Sequence, residues 1–472
     1  MKSVRIAQLR AQLKNAVLLI SIGSLLLFYV NCSFSKSDTT STPAFHKQSD
    51  KLEWIKTIDQ IFLGETYKMQ LGKLSFTDLQ EPVYFQWVSN CDSLCPTVVI
   101  ANPYAGIDWT GEPGDEKWWR RSGSDVGYMY SDEDGPNYNS GTTPGKLFYQ
   151  RQTPEQSFQM GALFVPNKVS LLIINNRFYR GRSLKTYVEE FKKVTRYFLE
   201  QKKIDSKKMA LFGASLGGFI AVQASLDEEI NPKALILESP LIDLKNQVNH
   251  ILDYPNLISD KTVLQKYSDF FEPYIRRVYL FTKGHPVDNA KEYLPYQLET
   301  AAKNLKSETM VMHDTWDTLV PFDNSLQFQN QSSSLTQLFL YQHSSGIDWN
   351  TFKMDHWQPT EGMSGENAWP WYHLFVYKRI LTEDQPKTVY YDYYKLAASI
   401  NEVKQAKDRG QDISWFKVRL LDLCLPNLTM NDYTSQIPTV TGVQFLQHVM
   451  KEIFKFDKPE NQICDEVKNF NL

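Results

Sequence analysis

Gly213-Ala214-Ser215-Leu216-Gly217, with Gly218 behind it, sets a serine among small residues between two apolar runs of different character. Residues 208–212 suit a short buried strand, and residues 219–224 suit a packed helix. A strand, a sharp turn and a helix would hold the serine hydroxyl exposed on a strained backbone. The glycines stand where chain must pass closely against chain. A serine in that setting is a candidate nucleophile. It then needs a base to take its proton and a carboxylate to orient the base.

The elements that would position such a group are regular from residue 82 onward. Residues 83–88 alternate like a strand, and 96–101, 169–174, 233–237, 309–312 and 338–341 are short apolar runs. Between them, Leu184, Val188, Phe191, Val194 and Phe198 fall at helical spacing over residues 184–201. Apolar strands alternating with helices predict an α/β fold with a mostly parallel sheet and helices on both faces. Residues 103–152 and 241–306 exceed a simple crossover, and 241–306 is expected to be a lid insertion. In the first stretch, 132–137 has a faint likeness to a calcium loop but lacks its closing acidic residue. It is read as a solvated turn.

In order of elements and in four motif positions, residues 80–381 resemble the α/β-hydrolase superfamily. The resemblance implies that acid and histidine follow the serine in that chain order. His313-Asp314-Thr315-Trp316-Asp317-Thr318-Leu319-Val320-Pro321 is similar to the superfamily's acid turn, with Asp317 three positions before Val-Pro. Asp314 and then Asp323 are the alternatives, and each of the three could instead serve an Asx turn or a helix cap. For the histidine, His356 occupies a loop ahead of a helical run over 369–381, whereas His343 lies nearer its strand; both stay open. His373 falls inside the helical run and is expected to pack, and His448 lies in the C-terminal region.

The resemblance also implies an oxyanion hole, with the backbone N–H of Leu216 as one donor. The superfamily's usual His-Gly pair is missing from Asn102-Pro103-Tyr104-Ala105-Gly106. There Pro103-Tyr104 resembles the Pro-Tyr of the cocaine esterase and X-prolyl dipeptidyl peptidase group, whose tyrosine hydroxyl is a donor. Tyr104 could equally be an amphipathic residue at a pocket mouth. Together these residues imply a serine hydrolase that cleaves carboxylic esters without metal or organic cofactor. An exported serine aminopeptidase or dipeptidyl peptidase is the alternative; Glu112, Asp115 and Glu116 could then meet a substrate amine. Trp109, Trp118, Trp119, Tyr128 and Tyr130 could stack on a substrate or form the apolar base of a lid. A non-catalytic binding protein on a hydrolase scaffold is the reading from another class, and the intact candidates for all triad positions argue against it.

With 472 residues, 42% of them hydrophobic, the chain can bury a large core. A net charge of −3 and no basic stripe give no case for a nucleic-acid partner. Residues 1–32 carry Lys2, Arg5, Arg10 and Lys14 before an apolar run, the pattern of a signal peptide or membrane anchor. Residues 33–50 would be a flexible tether, 51–384 the α/β domain and 385–472 a small helical appendage. In an exported chain the cysteines suggest disulfides Cys91–Cys95 and Cys424–Cys464. That leaves Cys32 where a lipoprotein would be cut and acylated. The expected location is therefore periplasmic or extracellular, with membrane attachment through the N-terminal segment or lipid.

Overall fold

The computed structural model describes residues 50–79, 82–89, 91–101, 154–159, 161–175, 184–257, 260–262, 264–265, 275, 278–279, 282–315, 317, 319–332, 336–341, 362–410 and 413–471. Nine strands form the main sheet: β1 (Lys51–Phe62), β2 (Glu65–Ser75), β3 (Val83–Val88), β4 (Cys95–Ala101), β5 (Ser170–Ile174), β6 (Ile204–Ala214), β7 (Ala234–Glu238), β8 (Glu308–Asp314) and β9 (Thr336–Tyr341). Their order is β1-β2-β3-β5-β4-β6-β7-β8-β9. The pairs from β1 to β5 are antiparallel, and every pair from β5 to β9 is parallel. All seven strands expected from residue 82 onward are present. The α-helices longer than four residues in and around this sheet are α1 (Pro154–Gln159), α2 (Leu184–Glu200), α3 (Leu216–Ser225), α4 (Leu244–Asp253), α5 (Leu298–Asn304), α6 (Asp323–Gln331) and α7 (Gly362–Ile380).

The parallel strands are apolar at nearly every position because both of their faces are covered. Ala210, Phe212, Ile236, Met310 and Met312 face a core shared with Trp371, Tyr372 and Phe375 of α7. The alternate residues Met209, Leu211, Leu235, Leu237 and Val311 face a second core with Phe191 of α2 and Phe219 of α3. Period-2 alternation sends neighbours on one strand to opposite layers. The register aligns the strand ends that matter for chemistry: Ala214 stands opposite Glu238, and Glu238 opposite Met312. Serine and acid candidates therefore leave the sheet at the same edge.

Residues before 82 hold a hairpin that the sequence pattern did not reveal. The loop joining β1 to β2 is Leu63-Gly64, with φ of 51° and 81°, and Phe62 pairs directly with Glu65. Two successive positive φ values match the right-handed twist of a two-residue hairpin. The region after α7 also differs in kind from an all-helical appendage. It contains α8 (Tyr393–Asp408), α9 (Ser414–Asp422), α10 (Gly442–Glu452) and α11 (Glu460–Asn469). A three-stranded sheet of β10 (Lys387–Tyr391), β11 (Leu428–Asp432) and β12 (Val440–Thr441) accompanies them. Its apolar side chains merge with the α7 core, so this region covers one layer of the main sheet.

Charge reinforces that junction. Arg419 is fully buried with Asp422 at 2.8 Å, Lys378 reaches the same carboxylate at 2.8 Å, and Arg379 pairs with Glu308 of β8. Burial holds the Arg419 guanidinium down at about 10 despite Asp422. The cysteines pair as Cys91–Cys95 and Cys424–Cys464, with Cα separations of 6.0 and 6.2 Å. The second bridge spans 40 residues and stabilises by about 3–4 kcal/mol on the chain-entropy account. Among the described residues no helix is long and apolar enough to cross a membrane. Residues 1–49, including Cys32, lie outside the described residues.

His373 packs as its helical position suggested. It is fully buried, stacked on Tyr377 at 5.6 Å and edge-on to Phe164 at 4.7 Å. Burial depresses its pKa from 6.5 to about 3. The unfolded chain thus takes up a proton below about pH 6.5 that the folded chain refuses until about pH 3. Stability from this group is complete above the unfolded pKa and is lost as pH falls. Between pH 7 and pH 5 the wild type should lose about 2 kcal/mol more than His373→Phe. Denaturant melts at the two pH values test this, and equal losses in both proteins would contradict it.

Candidate active site

Ser215 lies between the last residue of β6 and the first of α3, with φ 52° and ψ −120°. A non-glycine residue at positive φ with that ψ costs on the order of 1–3 kcal/mol and persists only when its surroundings fix it. Here the peptide is fixed on both sides. The Ser215 N–H donates to the Glu238 carbonyl at 2.9 Å, and the Ser215 carbonyl accepts from Gly218 N at 2.9 Å and Leu241 N at 3.1 Å. Gly213 and Gly218 are glycines for want of room. A Cβ on Gly213 would meet the Gly217 carbonyl oxygen at 2.3 Å, and one on Gly218 would meet Pro240 Cβ at 2.6 Å.

The result is a strand-to-helix elbow that leaves Ser215 8% exposed. Leu216, the first residue of α3, carries one of the first-turn N–H groups that a helix does not satisfy internally. The partial positive charge of that helix end favours negative charge developing beside the serine.

Two strands away, β8 ends at Asp314 and the chain turns. The Asp317 N–H donates to the Asp314 carbonyl at 3.2 Å. Asp317 Oδ1 accepts from Leu319 N at 2.9 Å and Val320 N at 2.8 Å, and its side chain is fully buried. The residue does form an Asx turn. That turn occupies Oδ1 and directs Oδ2 elsewhere, with His313 Nε2 at 3.4 Å. His313 is fully buried, its Nδ1 2.7 Å from Ser325 Oγ of α6 and its Nε2 3.0 Å from the Val320 carbonyl.

Asp314 is also fully buried, but alternation along β8 turns it to the α7 layer, opposite to His313. Asp323 opens α6 as an exposed first-turn carboxylate and is not its cap, a position held by Phe322. Thus Ser215, Leu216, Asp314 and Asp317 emerge at one end of the parallel strands. Tyr104, His343, His356, the aromatic and acidic residues of 103–130 and the loop 132–137 lie outside the described residues.

Besides His313, two buried carboxylates were missed in the sequence. Glu238 is a fully buried carboxylate ending β7, between β6 and β8. Its only sequence signal is an acidic residue closing the run Ala234-Leu235-Ile236-Leu237. Asp243 is buried and accepts from Asn246 N at 2.6 Å and Leu298 N at 2.9 Å. Burial raises its pKa above the ordinary carboxylate value, with the two amides opposing. It joins the two ends of the 241–306 segment, two residues from the Leu241 amide that holds Ser215. Among the described residues no group of His, Cys, Asp and Glu could hold a metal ion.

The profile of Peptidase_S9, the prolyl oligopeptidase family, matches residues 177–345, from just after β5 to just after β9. No curated protein is significantly similar to the chain. Similar solved structures include acetyl xylan esterase 1 from Thermoanaerobacterium, at 10% identity over 63% of this chain and 82% of that one, TM-score 0.38. They also include acylaminoacyl peptidase from Pyrococcus horikoshii, at 13% identity over 59% of this chain and 37% of that one, TM-score 0.38. Dipeptidyl peptidase 4 from Porphyromonas gingivalis is 11% identical over 59% of this chain and 32% of that one, TM-score 0.37. The chain spans about a third of the length of these two peptidases, and likeness at this level carries no argument about substrate.

Strand order, the serine elbow and the profile match together define an α/β-hydrolase. The serine elbow and the turn at Asp317 both fall within the matched residues 177–345.

Gly213→Ala tests the tightness of the elbow. The added methyl group would strike backbone rather than a yielding side chain, so destabilisation of about 2–4 kcal/mol is expected together with loss of hydrolysis. A wild-type melting temperature with wild-type turnover would contradict the geometry.

Proposed function

We propose that the chain hydrolyses carboxylic esters through a covalent acyl-enzyme on Ser215, with Asp317 and His356 completing the triad. The observation that carries the reading is the Ser215 backbone, held at φ 52° and ψ −120° in a tight strand-to-helix turn between β6 and α3. Ser215 Oγ attacks the acyl carbonyl while the histidine takes its proton. The Leu216 amide and the Tyr104 hydroxyl donate to the oxygen that gains charge. The histidine then protonates the leaving alcohol, and water reverses the sequence to free Ser215. Asp317 Oδ2 would orient the imidazole and balance its charge. An alcohol leaves more readily than an amine, so an ester makes the smaller demand on the general acid.

Two further readings have specific support. The profile match is to a peptidase family and favours an amide or peptide bond. The same match includes His343 and ends before His356, which favours His343 as the base. We also propose export with membrane attachment, supported by the basic and apolar N-terminal segment and the two cysteine pairs.

An acyl group presented both as a simple alkyl ester and as a peptide amide separates the first pair of readings. Turnover of the ester alone supports the esterase, while comparable kcat/KM on the peptide overturns it. On the preferred substrate, His356→Ala should lower kcat by about 10³-fold or more, with His343→Ala far milder; the reverse order exchanges their roles. Tyr104→Phe should cost on the order of 10²-fold in kcat/KM with KM little changed, and wild-type kinetics would remove the hydroxyl from the oxyanion hole.

A further inference from the structure

Three polar groups meet the His313 ring. A carbonyl can only accept, so the ring nitrogen 3.0 Å from Val320 O, Nε2, carries the proton. In the neutral ring Nδ1 is then the acceptor, 2.7 Å from the Ser325 hydroxyl. The ring thereby ties β8 to α6 and to the far end of the acid turn. Its Nε2–H edge lies 3.4 Å from Asp317 Oδ2. The two amides that grip Oδ1 belong to Leu319 and Val320, and Val320 is the residue whose carbonyl His313 holds. The imidazole therefore anchors the carbonyl side of Val320, the residue whose own N–H holds the carboxylate.

We propose that His313 is a positioning residue for the acid, fixing the 317–320 turn through its Nε2–H so that Asp317 Oδ2 stays aimed at the catalytic imidazole. The inference rests on the assignment of Asp317 made above. His313 touches no reacting atom. Its contribution is geometric, and displacement of a catalytic group by about 1 Å can cost 10²-fold in rate. The ring is buried with its hydrogen-bonding capacity committed, so it has no freedom to follow a shifted turn.

Gln and Asn replace different halves of the ring. The longer Gln side chain places an N–H near the position of Nε2, whereas Asn reaches only the Nδ1 side, toward Ser325. The enzyme is titrated with a fluorophosphonate so that kcat is expressed per reactive serine, and melting temperatures are recorded alongside. His313→Gln should stay within about threefold of wild type. His313→Asn should lose about 10- to 100-fold in kcat per titrated site with KM unchanged. In an Asp317→Asn background the Gln and Asn variants should no longer differ, since the group being positioned is gone.

A role in packing alone would lower the melting temperature or the titre and leave kcat per site equal in the two variants. That result, or a Gln-to-Asn difference that persists in Asp317→Asn, overturns the proposal. Wild-type kcat in Asp317→Asn itself is a separate result. It removes the acid assignment and takes this inference with it.

Discussion

Everything proposed for this protein depends on holding one serine in a backbone conformation that an L-residue resists. The elbow at Ser215 is kept by three main-chain hydrogen bonds, drawn from the end of β7, the first turn of α3 and Leu241. Each partner is supplied by an element buried on at least one face. None of these bonds is long-range in energy, but together they leave the peptide no other place to go. Gly213 and Gly218 make the arrangement possible by letting backbone and Pro240 approach within distances that a Cβ forbids. The strain is local, and the support comes from the sheet.

The acid turn follows the same logic with different chemistry. Asp317 spends one carboxylate oxygen on the amides of its own turn, and His313 clamps the end of that turn to α6. Parallel strands are about 4.8 Å apart, so β6 and β8 present their side chains on the order of 10 Å apart across β7. The C-terminal region contributes from below. Its helices share the apolar core of α7 on one face of the sheet, with the Arg419–Asp422 pair beside it, and the Cys424–Cys464 bridge ties the end of α9 to α11.

Legibility in the sequence followed burial. Strands β3 to β9 were readable because both faces are covered, which leaves short continuous apolar runs. The β1–β2 hairpin was not. One of its faces is wet, a bulge between Trp54 and Lys56 breaks the alternation, and Leu63-Gly64 lacks the usual Asn or Asp of a tight hairpin turn. The strands β10–β12 are too short to show a period against the helices around them. The elbow at Ser215 was legible because it demands small residues at fixed offsets, and the turn at Asp317 because Val-Pro stands behind it. His313 and Glu238 were passed over. Their meaning lies in what faces them across the fold, and a linear motif does not record that.

The central claim is that the elbow serine is the group that becomes acylated. Digestion of the intact protein after reaction with a fluorophosphonate, followed by mass mapping of the adduct, reads this directly. The adduct should sit on Ser215 at one per chain, and Ser215→Ala should keep the wild-type melting temperature while taking up no label. An adduct on another residue, or undiminished labelling of Ser215→Ala, would contradict the account.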